Sequence, residues 1–290
     1  TITNTTFTNN ISTIHGGGIF NDGTLTVTNS LFLNNNAYGA AGGILNNSGP
    51  SVVIKNSTFI GNTATSAGAI SQNDSGTLSI TNSTFADNTA VNYGGSIYSV
   101  GETIVTNSTF SSNGAGISGS DIVFSTSASP TLSLYNNILA NNDTSIGSCA
   151  VISGNVLGNN NLIEDTTSTC GFTGGVNGNI IGSDPALGSL TGSPAYFPLN
   201  TGSFAINAGS NAICAAAPVD NQSQNGVTRP QGANCDIGSF EASAAPTSAT
   251  FGDVPLNHPY FTDIEILYAN GLTAGCSASP LLFCPDTTMD

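Results

Sequence analysis

Acid–base catalysis, metal binding and nucleophilic catalysis each need particular side chains, and this chain is short of most of them. Its 290 residues hold 17 acids and two histidines, but only two basic residues, Lys55 and Arg229. Breaking acidic polysaccharides calls for clustered carboxylates or Ca²⁺, usually with Arg or Lys facing the developing negative charge. Before residue 180 there are eight acids, Lys55 and no Arg. Glu164 and Asp165 are adjacent, an arrangement that sends them to opposite faces of a strand. Asp22, Asp74 and Asp143 stand beside Asn, Gly or Ser, the usual chemistry of turns. His15 precedes three glycines with no nucleophile nearby and reads as a corner residue. The acid-rich composition is compatible with Ca²⁺, but no D-x-D-x-D-G loop occurs. No catalytic residue, metal ligand set or other cofactor is therefore assigned.

The six cysteines all lie in the second half. Fifteen pairings are open in principle. Their order favours three local bridges, Cys149 with Cys170, Cys214 with Cys235 and Cys276 with Cys284. A zinc site is the alternative, but the sequence has no C-x-x-C and only His15 and His258 to assist. Disulfides imply an oxidising, extracellular setting.

Composition narrows the function classes further. A net charge of −15 argues against nucleic acid, whose affinity comes mainly from Lys and Arg neutralising phosphates. It also disfavours an anionic membrane surface. No apolar run approaches the roughly 20 residues that span a bilayer. Thr1 opens neither a signal peptide nor a normal start, so the chain reads as a processed product or a fragment. An apolar fraction of 38%, regularly spaced, favours an ordered fold over a disordered one.

The spacing is the strongest signal. Aligned on the aromatic, TNTTFTNN (3–10), TNSLFLNN (28–35), KNSTFIGN (55–62), TNSTFADN (81–88) and TNSTFSSN (106–113) repeat one unit, with YNNILANN (135–142) and SGNVLGNN (153–160) as weaker copies. Phe7, Phe32, Phe59, Phe85 and Phe110 are 25, 27, 26 and 25 residues apart. A second marker keeps the same phase: GGGI (16–19), AGGI (41–44), AGAI (67–70) and GGSI (94–97). Two markers sharing a period identify a repeat architecture. Inside a repeat the period is two, with Leu25 and Val27 alternating with Thr24, Thr26 and Thr28, the pattern of half-buried strands.

Short strands between Asn and Gly corners, in coils of about 26 residues, predict an all-β right-handed parallel β-helix. Successive coils would stack about 4.8 Å apart. The five phenylalanines would then stack inside the solenoid, and Asn29, Asn56, Asn82 and Asn107 would form an amide ladder at a corner, where Asn tolerates left-handed backbone. Nine N-x-S/T sequons begin at Asn4, Asn10, Asn46, Asn56, Asn73, Asn82, Asn107, Asn142 and Asn221. The repeat itself accounts for most of them, and the looser ones remain open to glycans.

The paired F-x-x-N and G-G-x-I signatures resemble the polymorphic outer-membrane protein repeats of bacterial surface β-helices, over roughly residues 1–160. SDPALGSL (183–190), SFAINAGSNAIC (203–214) and GVTRPQGANCDIGSFE (226–241) resemble the C-terminal region of choice-of-anchor type Q proteins. That resemblance implies an element closing the end of the solenoid. Within it Arg229 lies among Asp220, Asp236 and Glu241, and is read as half of a structural ion pair, Arg229 with Asp236.

ASAAPTSAT (242–250) reads as a linker. The segment from Phe251 onward is similar to the first part of an S-layer homology domain. One helix is expected there, with Pro259 near its first turn, Ile264, Leu267 and Tyr268 on one face and Gly271 as its stop. The basic wall-binding stretch of that family does not follow. The predicted organisation is thus 1–183 solenoid, 184–241 closing region, 242–250 linker and 251–290 a small helical segment.

A function follows as an expectation: an extracellular, cell-surface structural or adhesive protein, associating with copies of itself through the solenoid ends into a filament or layer, with surface polysaccharide as a partner. The TITNTTF start, with no cap before it, prompts the self-association reading. The alternative is a carbohydrate-active β-helix enzyme, a lyase or glycosidase.

Overall fold

The computed structural model describes residues 1–126, 130–140, 146–243, 248–269 and 273–284. Asn142, Asp143 and Gly271 lie outside the described residues. The chain divides into two compact units near Ala242.

The first unit is the expected parallel β-helix. Each coil from Ile2 through Ser125 contributes to four parallel sheets. The first sheet holds Ile2–Thr3, Leu25–Thr28, Ser51–Lys55, Thr77–Thr81, Glu102–Thr106, Thr131–Tyr135 and Asn155–Asn159. The second runs from Thr6–Thr8 through Leu31–Leu33, Thr58–Ile60, Thr84–Ala86 and Thr109–Ser111 to Ile180–Ile181. The third ends at Gly114–Ala115 and the fourth at Cys149–Ser153, so the coil loses sides as the repeat decays.

Period-two alternation decides what points inward. Val27, Val52, Ile54, Leu78, Ile80, Val105, Leu132 and Leu134 of the first sheet are fully buried. Thr103 occupies an inward position in register with Leu78, and its hydroxyl is satisfied by Ser99 Oγ at 2.6 Å and by the Gly101 carbonyl. In the second sheet Phe7, Phe32, Phe59, Phe85 and Phe110 share one register column, continued by Leu139, Ile163 and Ile181. Their rings stack at centroid separations of 4.8, 4.6, 4.9 and 4.6 Å, the spacing of the strands that carry them.

Glycine is required at the G-G-x-I corner for lack of space. A Cβ on Gly42 would meet backbone atoms of Thr63 and Gly68 at 2.6 Å, and one on Gly68 would meet the Gly95 carbonyl at 2.2 Å.

Residues 184–241 reach back from the end of the solenoid and lie as an arm along the outer side of the second sheet. Thr58, Thr84 and Thr109 face outward in a single register column, and each bonds the arm: Thr58 Oγ1 donates to the Ala195 carbonyl (2.6 Å), Thr84 Oγ1 to Gln224 Oε1 (2.6 Å), and Thr109 Oγ1 accepts from the Ser239 amide (3.0 Å). Farther along the same column Ile138 and Leu162 pack with Leu199, Ala205 and Ile237 of the arm. The column changes from hydroxyl to apolar as the arm above it does.

The second unit has its own small core of Phe251, Val254, Phe261 and Ile264, flanked by Leu281 and Phe283. Its helix is Phe261–Ala269. Ile264 is buried, but Leu267 and Tyr268 are each 39% exposed, so the three do not form one buried face. Tyr268 instead sets its ring edge-on to Phe251. Asp253 accepts the amides of Phe283 and Cys284, which closes the Ser277–Ala278/Leu281–Leu282 hairpin onto the start of the unit.

Candidate functional site

The corner asparagines do adopt left-handed backbone: φ is 49° at Asn29 and 47° at Asn56, Asn82 and Asn107. They do not form the predicted amide ladder. That ladder stands one corner later, at the final Asn of each F-x-x-N, through Asn10, Asn35, Asn62, Asn88 and Asn113. The Asn35 amide and its Nδ2 both donate to Asn62 Oδ1 at 3.0 Å, and Asn62 and Asn88 repeat the contact upward. Each Nδ2 also donates to the carbonyl of a stacked Phe or its neighbour in the column, Asn35 to Phe7, Asn62 to Phe32, Asn88 to Phe59 and Asn113 to Phe85. The row ends where Asn113 Nδ2 donates to the buried carboxylate of Asp121 at 2.9 Å.

The reason for the exchange of roles is direction. At both corners a left-handed residue turns outward, Asn29 at the first and Asn34 at the second, and the residue after it turns inward and must be satisfied there. Serine fills the inward place at the first corner. Ser30, Ser57 and Ser83 donate their amides to the hydroxyl of the serine one coil on, and each hydroxyl in turn donates two residues back to a carbonyl. Asn137 and Asn161 replace serine in later coils.

The outward-turned asparagines have two fates. Asn82 Nδ2 donates to the Gln222 carbonyl (3.0 Å), Asn136 Nδ2 to the Ser210 carbonyl (3.4 Å) and Asn160 Nδ2 to the Ala208 carbonyl (2.9 Å), while Asn107 Nδ2 meets Cys214 Sγ at 3.4 Å. They hold the arm. Asn82 Oδ1 and Asn107 Oδ1 are buried there without a partner. Below the arm, the side-chain amides of Asn4, Asn29 and Asn56 bond nothing among the described residues. They line a cleft of about 600 Å³ whose floor includes Thr5, Thr6 and Leu31 and whose far wall is Ser193, Pro194 and Gln222–Gly226. Every lining side chain is uncharged. The wall is rigid because Gln224 Nε2 donates to Thr58 Oγ1 and the Ala195 carbonyl, and Asn225 bonds the Glu241 backbone in both directions.

Arg229 anchors the arm that forms this wall. The predicted partner is corrected: the guanidinium pairs with Glu241 at 3.1 Å, both side chains being buried. From Asp236 it takes only the backbone carbonyl, with further bonds to the Gly238 and Gln222 carbonyls. The Asp236 carboxylate turns away to accept the Asn207 and Ala242 amides. Burial lowers the Arg229 pKa to about 10, with Glu241 and Asp236 opposing that shift. Burial also raises the Asp236 and Glu241 carboxyls above their ordinary range.

Disulfides join Cys149 to Cys170, Cys214 to Cys235 and Cys276 to Cys284. The first staples the decayed end of the solenoid beside a second cavity of about 540 Å³, lined by Val151, Val156 and Phe172. The second lies within the arm.

His15, Asp22 and Asp165, singled out from sequence, tie neighbouring coils and loops together. His15 Nδ1 accepts the Ala40 amide, Asp22 accepts Asn47 and Ser48, and Asp165 accepts the Ser148 and Thr167 amides. Among the described residues no group of three or more His, Cys, Asp or Glu is placed to hold a metal, and no helix is long and apolar enough to cross a membrane.

Fold and site together define a parallel β-solenoid with a side-docked arm and an uncharged cleft at the arm's edge. Compared with known proteins, the chain matches no family model, no curated protein and no solved structure.

Proposed function

We propose that this is an extracellular structural or adhesive surface protein rather than an enzyme. The observation that carries the reading is the pairing of an interior of stacked phenylalanines, aliphatic side chains and hydrogen-bonded asparagines, coil after coil, with a solenoid that carries few charges. Three disulfides support an oxidising, extracellular location. The resemblance to bacterial surface repeats and to part of an S-layer homology domain points to a cell envelope. The carboxylates that acid–base chemistry would draw on are occupied in support of it: Asp165 with amides of a turn, and Asp236 and Glu241 with the arm's own backbone.

Association between copies would use the coil edges. An open strand edge is a template for another strand, and stacked parallel coils are the kind of structure that can extend that way. Sedimentation of the purified chain over a wide concentration range, with electron microscopy of the same samples, tests this reading. Filaments or layers, or attachment of the protein to cell envelopes, are expected. A monomer that neither assembles nor attaches overturns it.

A further inference from the structure

The same corner asparagine recurs once per coil, and the arm accounts for the amides of Asn82, Asn136 and Asn160. Asn4, Asn29 and Asn56 continue that column past the arm's edge with their amides unspent. Each amide offers both a donor and an acceptor, as does each hydroxyl of Thr6 and Ser193, while Thr5 Oγ1 donates to the Thr3 carbonyl and is left as an acceptor. The rungs that carry them rise about 4.8 Å apart, so the cleft repeats one uncharged hydrogen-bonding unit along its length.

We propose that this cleft binds a segment of uncharged polysaccharide. Sugar hydroxyls donate and accept at once, as the lining amides do. Leu31 and Pro194 supply small apolar surfaces for the C–H faces of a pyranose ring. A volume of about 600 Å³ falls within the roughly 300–1,000 Å³ of ligand pockets generally. An anionic polymer finds no cation in the lining, and a chain of net charge −15 repels it. Individual sites of this kind bind weakly, and many copies on one surface raise the overall avidity. The proposal deepens the adhesive reading above by naming its site and ligand class.

The test titrates the whole chain against a panel of uncharged hexose polymers and a panel of uronic-acid polymers, by calorimetry and affinity electrophoresis. Two variants address the cleft. Asn29→Gly with Asn56→Gly removes two amides while keeping left-handed backbone available, and Thr6→Trp fills the floor from an exposed strand position. Val91→Ser, on the exposed outside of the third sheet, is the control, and thermal unfolding checks that each variant is folded.

Binding to at least one neutral polymer, weakened on the order of tenfold by either cleft variant and unchanged by V91S, is the expected result. Binding confined to uronic-acid polymers, or to none, overturns the proposal. So does neutral-polymer binding that the cleft variants leave intact, which would leave the adhesive reading standing on another surface. Concentration-dependent self-association abolished by T6W would assign the cleft to a polypeptide and also overturn it. Cleft-dependent binding by a protein that neither assembles nor attaches to envelopes would instead keep the site and defeat the broader reading.

Discussion

Asn35 and Asn62 lie one above the other inside the solenoid, with both the backbone amide and the Nδ2 of Asn35 on Asn62 Oδ1 at 3.0 Å. Asn29 and Asn56, one corner earlier in the same coils, share no such contact. Replacement should separate the two kinds of asparagine sharply. Asn62→Ala strands two donors of Asn35 and unpairs the Phe32 carbonyl, at about 1–3 kcal/mol for each buried group left unsatisfied. Asn56→Ala costs only the left-handed backbone, roughly 1–2 kcal/mol, and Asn56→Gly costs less still. Urea midpoints of the three variants check the order.

Phe59 touches aromatic rings on both sides, at 4.6 and 4.9 Å. Phe59→Ala should therefore cost about 3–5 kcal/mol, with Phe59→Leu well below that. Phe7 is only half-buried and has a ring on one side, so Phe7→Ala should cost less than Phe59→Ala. Denaturant unfolding of the pair measures the difference.

Arg229→Ala leaves Glu241 buried without its partner, a change worth about 3–5 kcal/mol where a buried pair is broken on one side. The loss should fall on the arm. Limited proteolysis is expected to cut within 184–241 while the coils through Phe110 stay protected. Uniform cleavage across both regions would show that the arm and the coils unfold together.

Burial raises the Asp236 and Glu241 carboxyls above their unfolded values. A raised carboxyl binds its proton more tightly when folded, so its contribution to stability is complete below the ordinary carboxylate range and is lost as pH rises through the raised values. Melting temperature should therefore climb as pH is lowered from neutral toward that range, and Glu241→Gln should flatten the climb. A profile that falls steadily on acidification, equally in wild type and E241Q, would contradict this.

Cys214 and Cys235 are 21 residues apart, and closing a loop of that size constrains the unfolded chain by roughly 3 kcal/mol. Replacing both with serine should destabilise the arm by about that much. Asn107 and Asn136, whose amides lie against Cys214 Sγ, should gain hydrogen-exchange lability first.

The coil was legible in the sequence because its markers are periodic. Phe, small residues and alternating Val, Leu and Thr each mark an inward or outward position by type alone. Which Asn faces inward was not legible, because each corner opens on a left-handed residue and the inward place is the one after it, filled by Ser at the first corner and by Asn at the second. Ser30, Ser57 and Ser83 stand in the repeat directly after the corner Asn. Their regular place before the stacked aromatic was the available signal. The arm's position was beyond reach, since Thr58, Thr84 and Thr109 read as ordinary strand threonines until the residues above them are known. The same holds for Glu241 over Asp236, because distance along the chain says nothing about which carboxylate turns toward a guanidinium. The cleft follows from where the arm stops, a tertiary fact with no local signature.

The row from Asn10 to Asn113 runs one way: each rung gives hydrogens to the rung after it, and Asp121, which can only accept when ionised, receives the last. Asn10 Oδ1, at the opposite end, has no donor among the described residues. The interior therefore has a polarity, like an arrow. A further coil laid against the Asn10 edge must arrive with hydrogens to give, as every coil in the row does on its forward side. Such a coil must also bring a carbonyl for the second hydrogen of Asn10 Nδ2, as Phe7 does for Asn35, so the edge asks for both halves of the contact that every later rung makes.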